Sequence, residues 1–144
     1  MKVWLGAVLA SLAVALTVGI AVMGFVGSSD KATGEVLLRL EKTELYKGQR
    51  TLTYTIINNS PDVISFGEPY DIQIRKNGEW ASAEWMKDYV WIMILHMLRP
   101  GESFSRVVEL PENVELGRYR LVKEVMVEAT GKNIVLTAEF EVLA

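Results

Sequence analysis

The one histidine of the chain, His96, sits in Met93-Ile94-Leu95-His96-Met97, where thioethers and an imidazole are ligands suited to a soft ion such as Cu(I). A strand does not permit it. Met93 and His96, three apart, point to opposite faces, and Met93 and Met97 stand roughly 13 Å apart at ~3.3 Å per residue. No metal or cofactor is therefore expected. The chain has no cysteine, so thiolate nucleophiles, disulfides and a lipid-bearing Cys are excluded. G-x-S-x-G, P-loop, HExxH and EF-hand spacings are missing as well. Catalysis would fall to carboxylates. Glu139 with Glu141, and Glu124 with Glu128, come within roughly 7–13 Å along a strand, whereas glycoside hydrolysis needs a pair about 5–10 Å apart across a cleft. The simpler reading is a solvated sheet face balanced by Arg118, Arg120 and Lys123, and no catalytic residue is assigned.

A second feature is aromatic. Trp80, Trp85, Tyr89 and Trp91 lead into Ile92-Met93-Ile94-Leu95, and no Asp, Glu, Lys or Arg occurs from Tyr89 to Leu98. A strand of this composition is either buried on both faces, with the tryptophans as packing, or turns one face to a protein, a glycan or lipid headgroups. Trp and Tyr recur at binding hot spots, so these four residues form the candidate interaction surface.

The elements that position them have a period of two. Val36, Leu38 and Leu40 alternate with Leu37, Arg39 and Glu41; Leu52, Tyr54 and Ile56 with threonines; Ile72 and Ile74 with Asp71, Gln73 and Arg75. Strands are predicted near 36–41, 51–57, 63–66, 69–76, 90–97, 103–110, 118–128 and 134–142. Turn chemistry separates them: Asn58-Asn59-Ser60-Pro61-Asp62 as a loop, Lys76-Asn77-Gly78-Glu79 as a hairpin, Arg99-Pro100-Gly101-Glu102 as a type II turn. Asn58-Asn59-Ser60 also fits the N-glycosylation acceptor pattern. Seven or eight short antiparallel strands in residues 35–144 suggest an all-β domain of two sheets packed face to face.

Ile56-Ile57-Asn58-Asn59-Ser60, Phe66-Gly67 with Tyr70, Asn77-Gly78-Glu79-Trp80, Leu98-Arg99-Pro100-Gly101-Glu102-Ser103 and Gly117-Arg118-Tyr119-Arg120-Leu121-Val122-Lys123 together resemble the bacterial immunoglobulin-like domains of envelope-anchored proteins. The resemblance spans most of residues 35–143 and implies an immunoglobulin-like antiparallel β-sandwich, an extracytoplasmic setting and no established catalytic residues. In such sandwiches a tyrosine entering a late strand hydrogen-bonds back across the corner, and Tyr119 is placed to do so. The stretch from Tyr89 to Leu98 is more apolar than the family pattern.

Ahead of this domain, residues 3–27 contain no charge and no proline. At ~1.5 Å per residue such a helix crosses a ~30 Å hydrocarbon core. Residues 1–29 are therefore expected to be a transmembrane anchor or a signal segment, cleaved near Val26-Gly27-Ser28 in the second case, with residues 30–34 as a tether. All 18 acids and every Lys and Arg except Lys2 follow Ser29. The net charge of -3 offers no basic footprint, so nucleic acid is excluded as a partner. The sequence reads as a single-pass cell-membrane protein with its domain outside, or a secreted one if the leader is removed. Its expected work is to bind an envelope protein or glycan. The alternatives are a small carboxylate-dependent hydrolase acting on envelope polymers and an accessory subunit of a membrane complex.

Overall fold

In the computed structural model, residues 34–144 are described. The expected membrane segment and all of its tether except Gly34 lie outside them. Ten strands follow in order: β1 (Val36–Leu40), β2 (Glu44–Tyr46), β3 (Thr51–Asn58), β4 (Ile64–Phe66), β5 (Asp71–Lys76), β6 (Glu79–Ser82), β7 (His96–Leu98), β8 (Ser103–Glu109), β9 (Gly117–Val127) and β10 (Lys132–Leu143). A short 3-10 helix, Glu84–Asp88, lies between β6 and β7. The count exceeds the seven or eight expected because β2 and β6 are too short to show a period in the sequence.

The strands form two sheets. The smaller has the order β1-β3-β8 and is antiparallel throughout. The larger has β9 at its centre: β10 pairs along one edge, and β4 and β5 share the other, extended outward by β7 and β6. β2 joins the outer edge of β10 and is the one parallel pairing among the described residues. Alternation decides which side chains meet between the sheets. Leu52, Tyr54, Ile56 and Val108 of the smaller sheet face Ile72, Tyr119, Leu121 and Phe140 of the larger, and all are buried. Each contributes roughly 1.5–3 kcal/mol by leaving water. Phe66 and Phe104, from opposite sheets, meet edge to face with centroids 5.2 Å apart.

Two turns match their sequence signals. Asn77 and Gly78 both have positive φ, 54° and 80°, the conformation a two-residue hairpin loop requires. Gly101 has φ of 88° in the Arg99–Glu102 turn, closed by the Glu102 amide donating to the Arg99 carbonyl at 3.0 Å.

The strand expected at residues 90–97 is a correction. Only His96–Leu98 is strand, and residues 89–95 run as irregular chain with the side chains of Val90, Ile92, Met93, Ile94 and Leu95 outward. The run lies alongside the sandwich edge, where the sheets supply a packing surface on one side only.

The asparagine of the Asn58-Asn59-Ser60 acceptor pattern has a structural place instead. Asn58 is fully buried, and its amide nitrogen donates to the carbonyls of Asp62 and Leu98 at 2.8 and 3.0 Å. It fastens the loop after β3 to the end of β7, and in the folded domain that nitrogen is already engaged.

Candidate functional site

Among the described residues the interior holds one charged cluster, built around an interruption in the larger sheet. Ser65 stands opposite Met126 and Asp71 opposite Val122, so the five residues Phe66–Tyr70 face only three, Lys123–Val125. The excess bulges, and its carbonyls lose their ladder partners. Lys123 replaces them. Its side chain is 1% exposed, and Nζ donates to the carbonyls of Gly67 at 2.5 Å and Pro69 at 2.8 Å. The ammonium also lies 5.3 Å from the centroid of the Phe66 ring. Burial pulls the Lys123 pKa down to about 8, partly offset by the negative charge of Glu68.

Glu68, on the same bulge, accepts a hydrogen bond from Arg106 Nη2 at 2.7 Å and another from His96 Nε2. The His96 bond, followed by Arg106, holds its carboxyl below the usual range against an opposing cost of burial. Burial pushes the Tyr54 hydroxyl nearby up to about 12. Every charge in the cluster has an opposite charge or a backbone carbonyl beside it. It braces the gap between the sheets, leaving Arg106 Nε buried without a partner.

This arrangement corrects the sequence reading of Lys123 as part of a solvated face. Arg118 and Arg120 do lie on that face: Arg118 sits 3.8 and 3.6 Å from Glu139 and Glu141, and Arg120 donates to Gln73 at 2.6 Å. Lys123 has the opposite parity and shares the buried row of Tyr119, Leu121 and Val125. Counting by two from Tyr119 would have found it. Glu68 carried no such signal.

The four aromatic candidates are not brought into one surface. Trp80 lies on the outer face of the larger sheet between the guanidinium groups of Arg75 and Arg120, 5.2 and 4.6 Å from its centroid. Trp85, on the 3-10 helix, packs against Tyr119 at 6.1 Å, and its indole nitrogen is buried without a partner. Trp85 borders an open cleft of about 570 Å³. Its charged rim includes the pairs Lys76–Glu115 and Lys87–Glu84, 3.2 and 2.7 Å apart. Glu124, Glu128, Glu139 and Glu141 do not line it.

Tyr89 and Trp91 are stacked at 5.2 Å and turned inward against Tyr70, with Trp91 4.7 Å from it. The Tyr89 hydroxyl donates to the Glu109 carbonyl at 3.1 Å. His96 packs against Phe66 and Phe104 at 5.5 and 4.5 Å. These inward contacts hold the segment in place, and the residues between them are left outside. Val90, Ile92, Met93, Ile94, Leu95 and Met97 are exposed by 47–91%. The longest run of exposed apolar side chains among the described residues is therefore the aliphatic and thioether set of 90–97, with Tyr89 and Trp91 as its inner fastening.

At the corner before β9, the Tyr119 hydroxyl donates to the Glu115 carbonyl at 2.5 Å, the brace expected of an immunoglobulin-type sandwich. Two stacked sheets, this corner and a buried core between them define an immunoglobulin-like module. The sequence model of the family described as Bacterial Ig-like domain matches residues 33–141, and the chain belongs to that family. No curated protein sequence matches the chain. Among solved structures it is similar to the sporulation control protein Spo0M of Bacillus subtilis, with 17% identity and a TM-score of 0.46. That alignment covers 76% of this chain and 49% of Spo0M, so the chain spans about half that protein's length.

Proposed function

We propose that the chain is a non-catalytic interaction module held at the cell membrane by residues 3–27, its domain outside the cell and its contact surface formed by Val90–Met97. One observation carries this reading: six large apolar side chains in one short segment stand in water although Tyr89, Trp91 and His96 fix the segment firmly. Monomeric soluble proteins rarely leave so large a contiguous apolar patch uncovered, and such patches mark interaction sites. The apolar N-terminal run supports a membrane setting, where local concentration at the bilayer strengthens weak contacts.

The experiment is a photo-crosslinking amino acid at Met93, with Val135 on the larger sheet as an exposed control, in cells making the full chain. A discrete adduct from position 93 and none from 135 is expected. Equal labelling at both positions, or none at 93, contradicts the reading.

A further inference from the structure

We infer that the occupant of this surface is a second copy of the same chain, bound antiparallel about a twofold axis near Met93 and Ile94. The inference rests on the reading of Val90–Met97 as a contact surface and adds the partner. Tyr89 is tied to Glu109 at one end of β8, and the Leu98 carbonyl is tied to Asn58, near Ser103 at the other. The segment therefore runs lengthwise along the domain edge. A linear segment of this kind can lie against itself only parallel or antiparallel, and a twofold axis across it gives the antiparallel arrangement.

The order of residues fits that arrangement. With the axis near Met93 and Ile94, Val90 stands opposite Met97 of the second copy and Ile92 opposite its Leu95, so exposed apolar side chains meet one another. The same register sets Asp88 opposite Arg99 of the second copy, and this happens twice by symmetry. Both residues are exposed, and neither side chain has an ion-pair partner among the described residues. A parallel arrangement would place like charges together at each end. Area allows it: at these exposures the six residues present at most roughly 700 Å², so that with flanking residues such as Asp88 and Arg99 the contact can approach the ~800 Å² per partner of a stable interface. Among the described residues the backbone of Val90–Leu95 makes one hydrogen bond, Ile94 N–H to the Ile92 carbonyl at 3.1 Å, an edge-like arrangement suited to pairing with another chain.

The chain has no cysteine, so disulfide cross-linking can be read without background. The full chain, in membranes or mild detergent, carries Met93→Cys, Val90→Cys or Met97→Cys. Met93→Cys should form a covalent dimer on oxidation. Val90→Cys and Met97→Cys should each cross-link poorly alone and well when mixed. Asp88→Arg or Arg99→Asp should weaken association about 10-fold, since two symmetry-related pairs are lost, and the double swap should restore it. All these positions are exposed, so folding is retained. Cross-linking regardless of position, none at Met93, or a double swap that fails to restore association overturns the inference. If the photo-crosslinker at Met93 labels lipid or a different protein, the second copy is excluded while the contact surface stands. If it labels nothing, both fall.

Discussion

The Lys123 ammonium, buried in the core row of β9, donates to the Pro69 carbonyl at 2.8 Å and so closes a gap that the sheet's own ladder leaves open. A lysine carried as an ammonium in a place that disfavours charge makes stability depend on pH, because the neutral amine still has N–H groups to donate to these carbonyls. Its folded value of about 8 lies below the ordinary 10.5, so between these values the unfolded chain binds more protons and stability rises with pH. Tyr54 and Tyr119, pushed up to about 12 by burial, act in the opposite direction only above the ordinary tyrosine value of 10.0. Denaturant unfolding between pH 8 and 10 should show a gain of about 2–3 kcal/mol. Lys123→Met should flatten that slope; an unchanged slope would remove Lys123 as its source.

Glu68 sets the behaviour in acid. Its folded pKa is lowered, first by the His96 hydrogen bond and then by Arg106, so its contribution is present above the ordinary 4.5 and lost as pH falls through the lower folded value. Glu68→Ala leaves the Arg106 and His96 donors without their acceptor and should cost about 2 kcal/mol at neutral pH. Chemical denaturation of the variant measures this. A loss within the error of the method would mean that water satisfies those donors as well as the carboxylate does.

The corner tyrosine is a brace. Tyr119→Phe removes one buried hydrogen bond and keeps the ring stacked on Phe140 at 5.4 Å. The expected cost is about 1 kcal/mol of stability, read as a shift of Tm, with cross-linking at Met93 unchanged. Loss of cross-linking would tie the corner to the contact surface.

Inward and outward residues of the 89–97 segment should separate cleanly. Trp91→Ala strips the contact with Tyr70 and should destabilise the domain by about 3 kcal/mol. Ile92→Ser and Met93→Ser, at exposed positions, should change stability by no more than about 0.5 kcal/mol while abolishing association. Thermal unfolding and sedimentation on the same samples distinguish the two effects. Equal destabilisation by all three would make the segment part of the core.

Local chemistry was the legible part of the sequence. Asn77-Gly78, Pro100-Gly101 and Tyr119 each act within a few residues, and each does what its signal implies. The parity of β9 carries the core position of Lys123 as well, but the charge of a lysine argues for a solvated face and outweighs it in the sequence. The segment 89–97 could not be read from the sequence because burial of a continuous apolar run depends on whether the fold provides a second layer. Here it runs along the edge, with aromatic residues turned in and aliphatic residues out. Glu68 was invisible for a related reason: its partners His96 and Arg106 come from distant parts of the chain.

Methionine oxidation tests the central claim most directly, because Met93 and Met97 are exposed in the isolated domain while Met86 is buried. Peroxide labelling of the full chain, read by peptide mass spectrometry, would compare native membranes with detergent-diluted chain. Met86 should oxidise slowly in both, and Met93 and Met97 fast on dilution but slowly in membranes. Fast oxidation of Met93 and Met97 in both would show an uncovered surface, and slow oxidation in both would show a packed one; either result contradicts the account.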